Sequence, residues 1–197
     1  MATQALFGGP TRHEADPDRV AVILPGAGYT AARPLLHYAR AVLAHHDWSV
    51  QEVWWHHPHE LDWTETIAWV TGQAQRALDA ETAARPLLVG KSLGSLAASV
   101  AADRGLPAIW LTPLLSRPEV REALGRATAP TLLVGGTADG TWHGDVARAL
   151  GHAYVEVAGA DHSLEAPDDP LKSVENLGVV TAGMSEFMAG LGRTGAR

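Results

Sequence analysis

The chain has 197 residues, enough for one domain around a single buried core and too few for two of ordinary size. Fifteen Lys and Arg against 22 Asp and Glu leave a formal charge of −7, which repels a phosphate backbone and argues against a nucleic-acid partner. Cysteine is absent, so disulfides, thiolate metal sites and a thiol nucleophile are excluded, and covalent chemistry would need an oxygen or nitrogen nucleophile. No apolar run approaches the roughly 18 to 20 residues that span a bilayer, and the N-terminus lacks a basic-then-apolar signal pattern. The expectation is a cytoplasmic protein with no membrane partner.

No internal repeat or low-complexity tract divides the chain, which reads as one domain over residues 1–197 with a core from about 20 to 190. Residues 1 to about 17 are polar and turn-rich, with Ala5 to Phe7 able to form a short edge strand, and Gly192 to Arg197 should fray. Val20 to Leu24 is a continuous aliphatic run stopped by Pro25-Gly26-Ala27-Gly28, the pattern of a strand buried on both faces. A helix follows over about Ala32 to Ala44, with Pro34 near its first turn. Trp48 to Trp55 reads as the second strand and Trp63 to Ala80 as the second helix. The third strand, Pro86 to Gly90, runs directly into Lys91-Ser92-Leu93-Gly94 and an Ala-rich helix that ends before Gly105. Ala108 to Thr112 is the fourth strand, and Ser116-Arg117-Pro118-Glu119 has the form of a capping box opening a helix to about Ala127. Thr131 to Val134 and Tyr154 to Val157 are the fifth and sixth strands, separated by the Gly135 to Asp139 turn and a short helix over about Gly144 to Leu150. Leu171, Val174, Leu177, Val180, Met184, Phe187 and Leu191 form one stripe on a closing helix with candidate bends at Gly178 and Gly183. Strict alternation of strands and helices predicts a three-layer α/β/α sandwich around a mainly parallel six-stranded sheet, with its chemistry beyond the carboxyl ends of the strands.

Gly90-Lys91-Ser92-Leu93-Gly94 matches G-x-S-x-G between a strand and a helix, where a sharp turn exposes a serine and the helix start points free N–H groups at a reacting carbonyl. A serine hydroxyl is a weak nucleophile and needs a base, which in turn needs an orienting carboxylate. Asp139 follows the fifth strand and His162 follows the sixth, in the chain order Ser, Asp, His. The rival carboxylates are Asp145, placed to open a helix, and Asp161, placed to order the turn beside the histidine. An oxyanion needs two backbone donors: Leu93 supplies one, and the loop after the first strand supplies the other through Ala27, with Gly28 as its close competitor.

On these motifs the chain resembles a small, cap-less member of the α/β-hydrolase superfamily over about residues 20 to 190. The resemblance implies Ser92 as nucleophile, His162 as general acid and base, Asp139 as its orienter, and Ala27 and Leu93 as the oxyanion hole. It implies a serine hydrolase, esterase- or thioesterase-like, with no cofactor and a small-molecule or carrier-bound acyl substrate. The same triad would serve an acyltransferase or cyclase, and a non-catalytic ligand-binding protein could share the fold. Two departures stand out. The eighteen residues from Pro113 to Pro130 are too few for a lid, which leaves the site open, and Pro25 stands where many relatives have histidine.

Several further residues compete for attention. His56-His57-Pro58-His59 is histidine-rich, but adjacent histidines point apart and no second cluster completes a ligand set, so no metal is assigned and the stretch reads as a rim loop. Gly28, Tyr29, Trp110 and Trp142 fall near strand ends and are the candidates for contact with substrate. Lys91, at the variable position of the motif, is given no catalytic role.

Overall fold

Val20 to Leu24 carry no polar side chain, and such a run is stable as a strand only where helices cover both faces of the sheet. The computed structural model, which describes residues 11–194, buries all five completely. In chain order the elements are β1 (Arg12–His13), β2 (Asp16–Leu24), α1 (Pro34–His45), β3 (Trp48–Glu52), α2 (Trp63–Asp79) and β4 (Arg85–Lys91). A 3-10 turn (Ser92–Ala97) leads into α3 (Ala98–Arg104), followed by β5 (Ala108–Leu111), α4 (Pro118–Arg126), β6 (Thr131–Gly136), α5 (Gly144–Ala149), β7 (Ala153–Val157) and α6 (Pro170–Thr194). The sheet order is β1-β3-β2-β4-β5-β6-β7, with every neighbouring pair parallel except β1 against β3. Helices α1 and α6 pack on one face, around Leu36, Leu43, Val180 and Met184. The 3-10 turn and α2 to α5 pack on the other, around Val70, Leu96, Val120 and Trp110.

The described sheet thus has seven strands where six are expected. The addition is β1, whose two residues pair with Gln51 and Val50 at the edge and are too few to show a period. Part of the N-terminal stretch read as loose is therefore paired; the candidate strand at Ala5 to Phe7 lies outside the described residues. Strand β3 stops at Glu52 rather than Trp55, because its partner β2 ends at Leu24 and Pro25 has no N–H to continue the ladder. Helix α4 begins one residue later than the Ser116 box requires. Pro118 at its first position holds Arg117 extended, so Arg117 is the N-cap, no side-chain cap forms, and Glu119 pairs with Arg117 instead. A reciprocal capping box forms at Asp62 and Glu65 on α2. Helix α6 is continuous through Gly178 and Gly183, but Leu171 and Val174 are exposed; Leu177 is half-buried, and full burial within the stripe begins at Val180. Among the described residues no helix is long and apolar enough to cross a membrane.

The loops after β6 and β7 are joined backbone to backbone. Thr137 N–H donates to Val157 O at 3.0 Å, Ala138 N–H to Ala160 O at 3.0 Å, and Gly159 N–H to the Thr137 hydroxyl at 2.7 Å. Gly136 permits this contact, since a Cβ there would stand 2.1 Å from Ala160 O. Gly136→Ala should destabilise the fold by about 3 kcal/mol through overpacking against backbone, seen as a lower urea midpoint at unchanged slope; a loss below about 0.5 kcal/mol would show the loops to be independent.

Candidate active site

Lys91 ends β4 in extended geometry, and the next residue, Ser92, sits at φ 51°, in the left-handed region that a non-glycine residue rarely adopts. The glycines two positions to either side, Gly90 and Gly94, allow the turn because they have no side chain. A Cβ at Gly90 would meet the Trp110 ring at 2.5 Å, and one at Gly94 would meet Leu24 O at 2.6 Å. Ser95 ties the turn from below: its hydroxyl donates to Ser92 O at 2.6 Å and accepts from Leu114 N–H at 3.1 Å. This i to i+3 side-chain bond suits the 3-10 geometry that replaces the expected α-helix over Ser92–Ala97. Leu93 lies in the first turn of that segment, where backbone N–H groups have no intrahelical partner.

The joined loops bring Asp139 and His162 to Ser92. His162 Nε2 lies 2.7 Å from Ser92 Oγ, and His162 Nδ1 lies 2.8 Å from Asp139 Oδ2. A carboxylate can only accept, so Nδ1 carries the proton and donates to Asp139, which leaves Nε2 as acceptor for the serine hydroxyl. The Asp139 side chain is buried, whereas that of His162 is 38% exposed. The second carboxylate oxygen, Oδ1, accepts from Thr141 N–H at 2.8 Å and from the Thr141 hydroxyl at 2.9 Å. Burial pushes the Asp139 carboxyl up, but the bonds from His162 and Thr141 outweigh it and hold the group below its ordinary value of 3.8. Asp161 orders the turn, its Oδ1 accepting from Ser163 and Glu165 N–H. Asp145 sits in the first turn of α5.

Ala27 and Gly28 are exposed on the loop after β2. Its frame is fixed by Gly26 N–H donating to Tyr29 O at 3.0 Å and by Trp55 Nε1–H donating to Gly26 O at 3.1 Å. The aromatic candidates for substrate contact are placed differently from the expectation. Trp110 is 1% exposed and forms the floor under Gly90. Trp142 packs on Gly135 and donates to Glu156 at 2.7 Å. Tyr29 is buried, and its hydroxyl accepts from Leu35 N–H at 3.0 Å, satisfying a free donor at the head of α1. All three are buried and expose almost no surface, whereas Gly28 is exposed.

In the histidine-rich loop, His57 contacts the Thr66 hydroxyl at 3.1 Å and packs edge-on to Trp69, while His56 and His59 are exposed. No group of metal-ligating residues forms among the described residues. A cavity of about 570 Å³ between α1 and α6, lined by Tyr38, Val42, Leu177 and Thr181, touches none of Ser92, Asp139 and His162.

Two features of the site lie beyond the sequence reading, the Thr141 bonds and the burial of Lys91. Thr141 is signalled only by an Asp-x-Thr spacing, a common turn pattern that gains meaning once Asp139 is placed. Lys91 turns out to be buried, its ammonium 4.6 Å from the centroid of the Tyr29 ring. Burial pushes its pKa down to about 8, against Asp139 and Asp161, which favour the charged form.

No protein-family model and no curated protein matches the sequence. Solved structures do. Est1E from Butyrivibrio proteoclasticus, in a structure with ferulic acid bound, superposes with a TM-score of 0.70 at 14% identity, over 90% of this chain and 92% of that one. A putative α/β hydrolase of unknown function from Agrobacterium tumefaciens gives 0.69 at 13% identity, over 95% and 97%. A lid-less α/β serine hydrolase from Xanthomonas campestris gives 0.58 at 15% identity, over 89% and 87%. The chain has the α/β-hydrolase fold.

A carboxyl held below its ordinary value stabilises the fold above about pH 3.8, and that stabilisation is lost as pH falls through the folded value. At neutral pH, urea unfolding should therefore show Asp139→Asn less stable than wild type by about 1.5 to 3 kcal/mol. The gap should close as pH drops below 3.8; a gap that persists there would mean that the carboxylate's charge is not what is stabilised.

Proposed function

We propose that the protein is a serine hydrolase that cleaves a small carboxylic ester or thioester through an acyl-serine intermediate. The observation that carries the reading is the hydrogen-bonded chain from Ser92 through His162 to Asp139 at a strained strand-to-helix turn. Neither a serine nor a histidine needs this arrangement for stability, and the left-handed backbone at Ser92 works against it.

Ser92 Oγ attacks the substrate carbonyl carbon while its proton passes to His162 Nε2, and the carbonyl electron pair moves onto oxygen. Backbone N–H groups of Ala27 and Leu93 receive that oxyanion, with the exposed Gly28 beside them. The imidazolium now carries two protons and is stabilised by Asp139, whose other oxygen is fixed by Thr141. Collapse of the intermediate breaks the bond to the alcohol or thiol, which leaves with the proton from Nε2. Water then gives a proton to His162 and attacks the acyl carbon, and Ser92 departs with that proton.

The openness of the rim supports a small substrate or one presented by a carrier. Between β5 and β6 the chain forms only the short α4, which packs into the core through Val120, Ala123 and Leu124 rather than over Ser92. The small aromatic acid bound to Est1E on a similar fold is in keeping with a compact acyl group.

Hydrolysis of p-nitrophenyl acetate tests the assignment. Ser92→Ala and His162→Ala should each lower kcat/KM by on the order of 10⁴ to 10⁶, and Asp139→Asn somewhat less. Thr141→Val, which keeps the backbone donor to Asp139 and removes the hydroxyl, should cost about tenfold. Activity of Ser92→Ala within threefold of wild type would overturn the reading.

A further inference from the structure

The acylation chemistry leaves Lys91 unused. Its side chain leaves β4 on the face of α1 and α6, in register with Leu111, and is 3% exposed. A buried ammonium gives up its hydration, and an apolar side chain would serve the core better at this position. The ion pairs among the described residues do not include Lys91. What it meets is the oxyanion loop. Nζ lies over the Tyr29 ring, with the Arg33 guanidinium 5.3 Å from the same centroid. Lys91 Cδ also packs against Gly26, 3.4 Å from where a Cβ would stand.

The loop that carries Ala27 and Gly28 is held by neutral hydrogen bonds at Gly26 N–H, Gly26 O and the Tyr29 hydroxyl. The contacts that depend on charge are those of the Lys91 ammonium and the Arg33 guanidinium with the Tyr29 ring, and Lys91 is the closer of the two. Ala27 itself makes no backbone hydrogen bond among the described residues, so its position rests on its neighbours.

We propose that Lys91 is a positioning residue for the oxyanion hole: its ammonium, set against the Tyr29 ring, holds the Gly26–Tyr29 loop beside Ser92, and loss of its proton loosens that loop and slows acylation. The inference rests on the serine-hydrolase reading above. The groups that face Lys91 are Tyr29 and Arg33 from the loop and the head of α1, Asp139 from the loop after β6, and Asp161 from the turn after β7. The two carboxylates favour the charged amine; burial and Arg33 oppose it, and its pKa comes down to about 8 from 10.5. The folded chain therefore binds this proton less tightly than the unfolded chain. The charge opposes folding below pH 8, and the penalty is relieved as pH rises from 8 toward 10.5. A residue kept only for packing would behave in the opposite way, lowering stability when removed.

The experiment is the pH profile of p-nitrophenyl acetate hydrolysis, with the Ser92→Ala rate subtracted, for wild type, Lys91→Met and Lys91→Arg, alongside thermal unfolding at pH 7. Wild-type kcat should fall on an alkaline limb near pH 8. Lys91→Met should lower kcat at pH 7 by about tenfold with KM changed less than twofold, lose the limb, and unfold at the same or a higher temperature. Lys91→Arg, charged throughout this range, should recover most of the pH 7 rate and carry it past the limb. Lys91→Met with kcat within twofold of wild type, or with the alkaline limb intact, would overturn the proposal. So would a fall in its activity matched by a fall in unfolding temperature that Lys91→Arg does not restore. Absence of any Ser92-dependent turnover in wild type would overturn the hydrolase reading first, and this inference with it.

Discussion

One turn of backbone organises the site. At Ser92 the chain leaves β4 with a left-handed φ of 51° and enters a 3-10 segment, a conformation that costs roughly 1 to 2 kcal/mol for a residue with a Cβ. The cost is tolerated because the surroundings leave the chain no other path. Trp110 fills the space under Gly90, and Leu24 O presses on Gly94. A side chain at either glycine would move the whole segment. The serine hydroxyl stands clear of the sheet as a result, within reach of loops that belong to strands two and three places away in the sheet order.

Electrostatics complete what this turn begins. Asp139 is buried, yet it accepts three hydrogen bonds, one from His162 and two from Thr141, and these keep it ionised. An ionised and immobile carboxylate selects one tautomer of His162 and leaves Nε2 ready to accept a proton. The joined loops after β6 and β7 prevent the pair from separating. Close to Ser92, neutral hydrogen bonds and the Lys91 ammonium meet the loop that carries Ala27 and Gly28.

The alternation of strands and helices and the Ser92, Asp139, His162 order are legible in the sequence because each depends on local pattern: buried strands are continuous apolar runs, and the site residues follow them directly. What escapes is whatever depends on the register between strands. Trp110 looks like a rim residue in a list of strand ends, but its pairing with Gly90 puts it under the elbow. Trp142 is drawn inward by the space beside Gly135 and by Glu156, a strand away. Caps, too, depend on more than a four-residue pattern. The box read at Ser116 fails because Pro118 constrains Arg117, and the box that forms, at Asp62 and Glu65, is absent from the sequence reading. Lys91 lies in plain sight in the motif, while its burial and its contact with Tyr29 depend on where the β2 loop folds back.

The central claim is that His162 and the oxyanion donors activate Ser92, and its most direct measurement is the intact mass of the protein after exposure to an activated fluorophosphonate, with Ser92→Ala treated alongside. The account predicts one adduct per chain in the wild type, mapped to Ser92, and none in the variant. An unmodified wild type under conditions that label a known serine hydrolase, or an adduct of equal yield in Ser92→Ala, would contradict it.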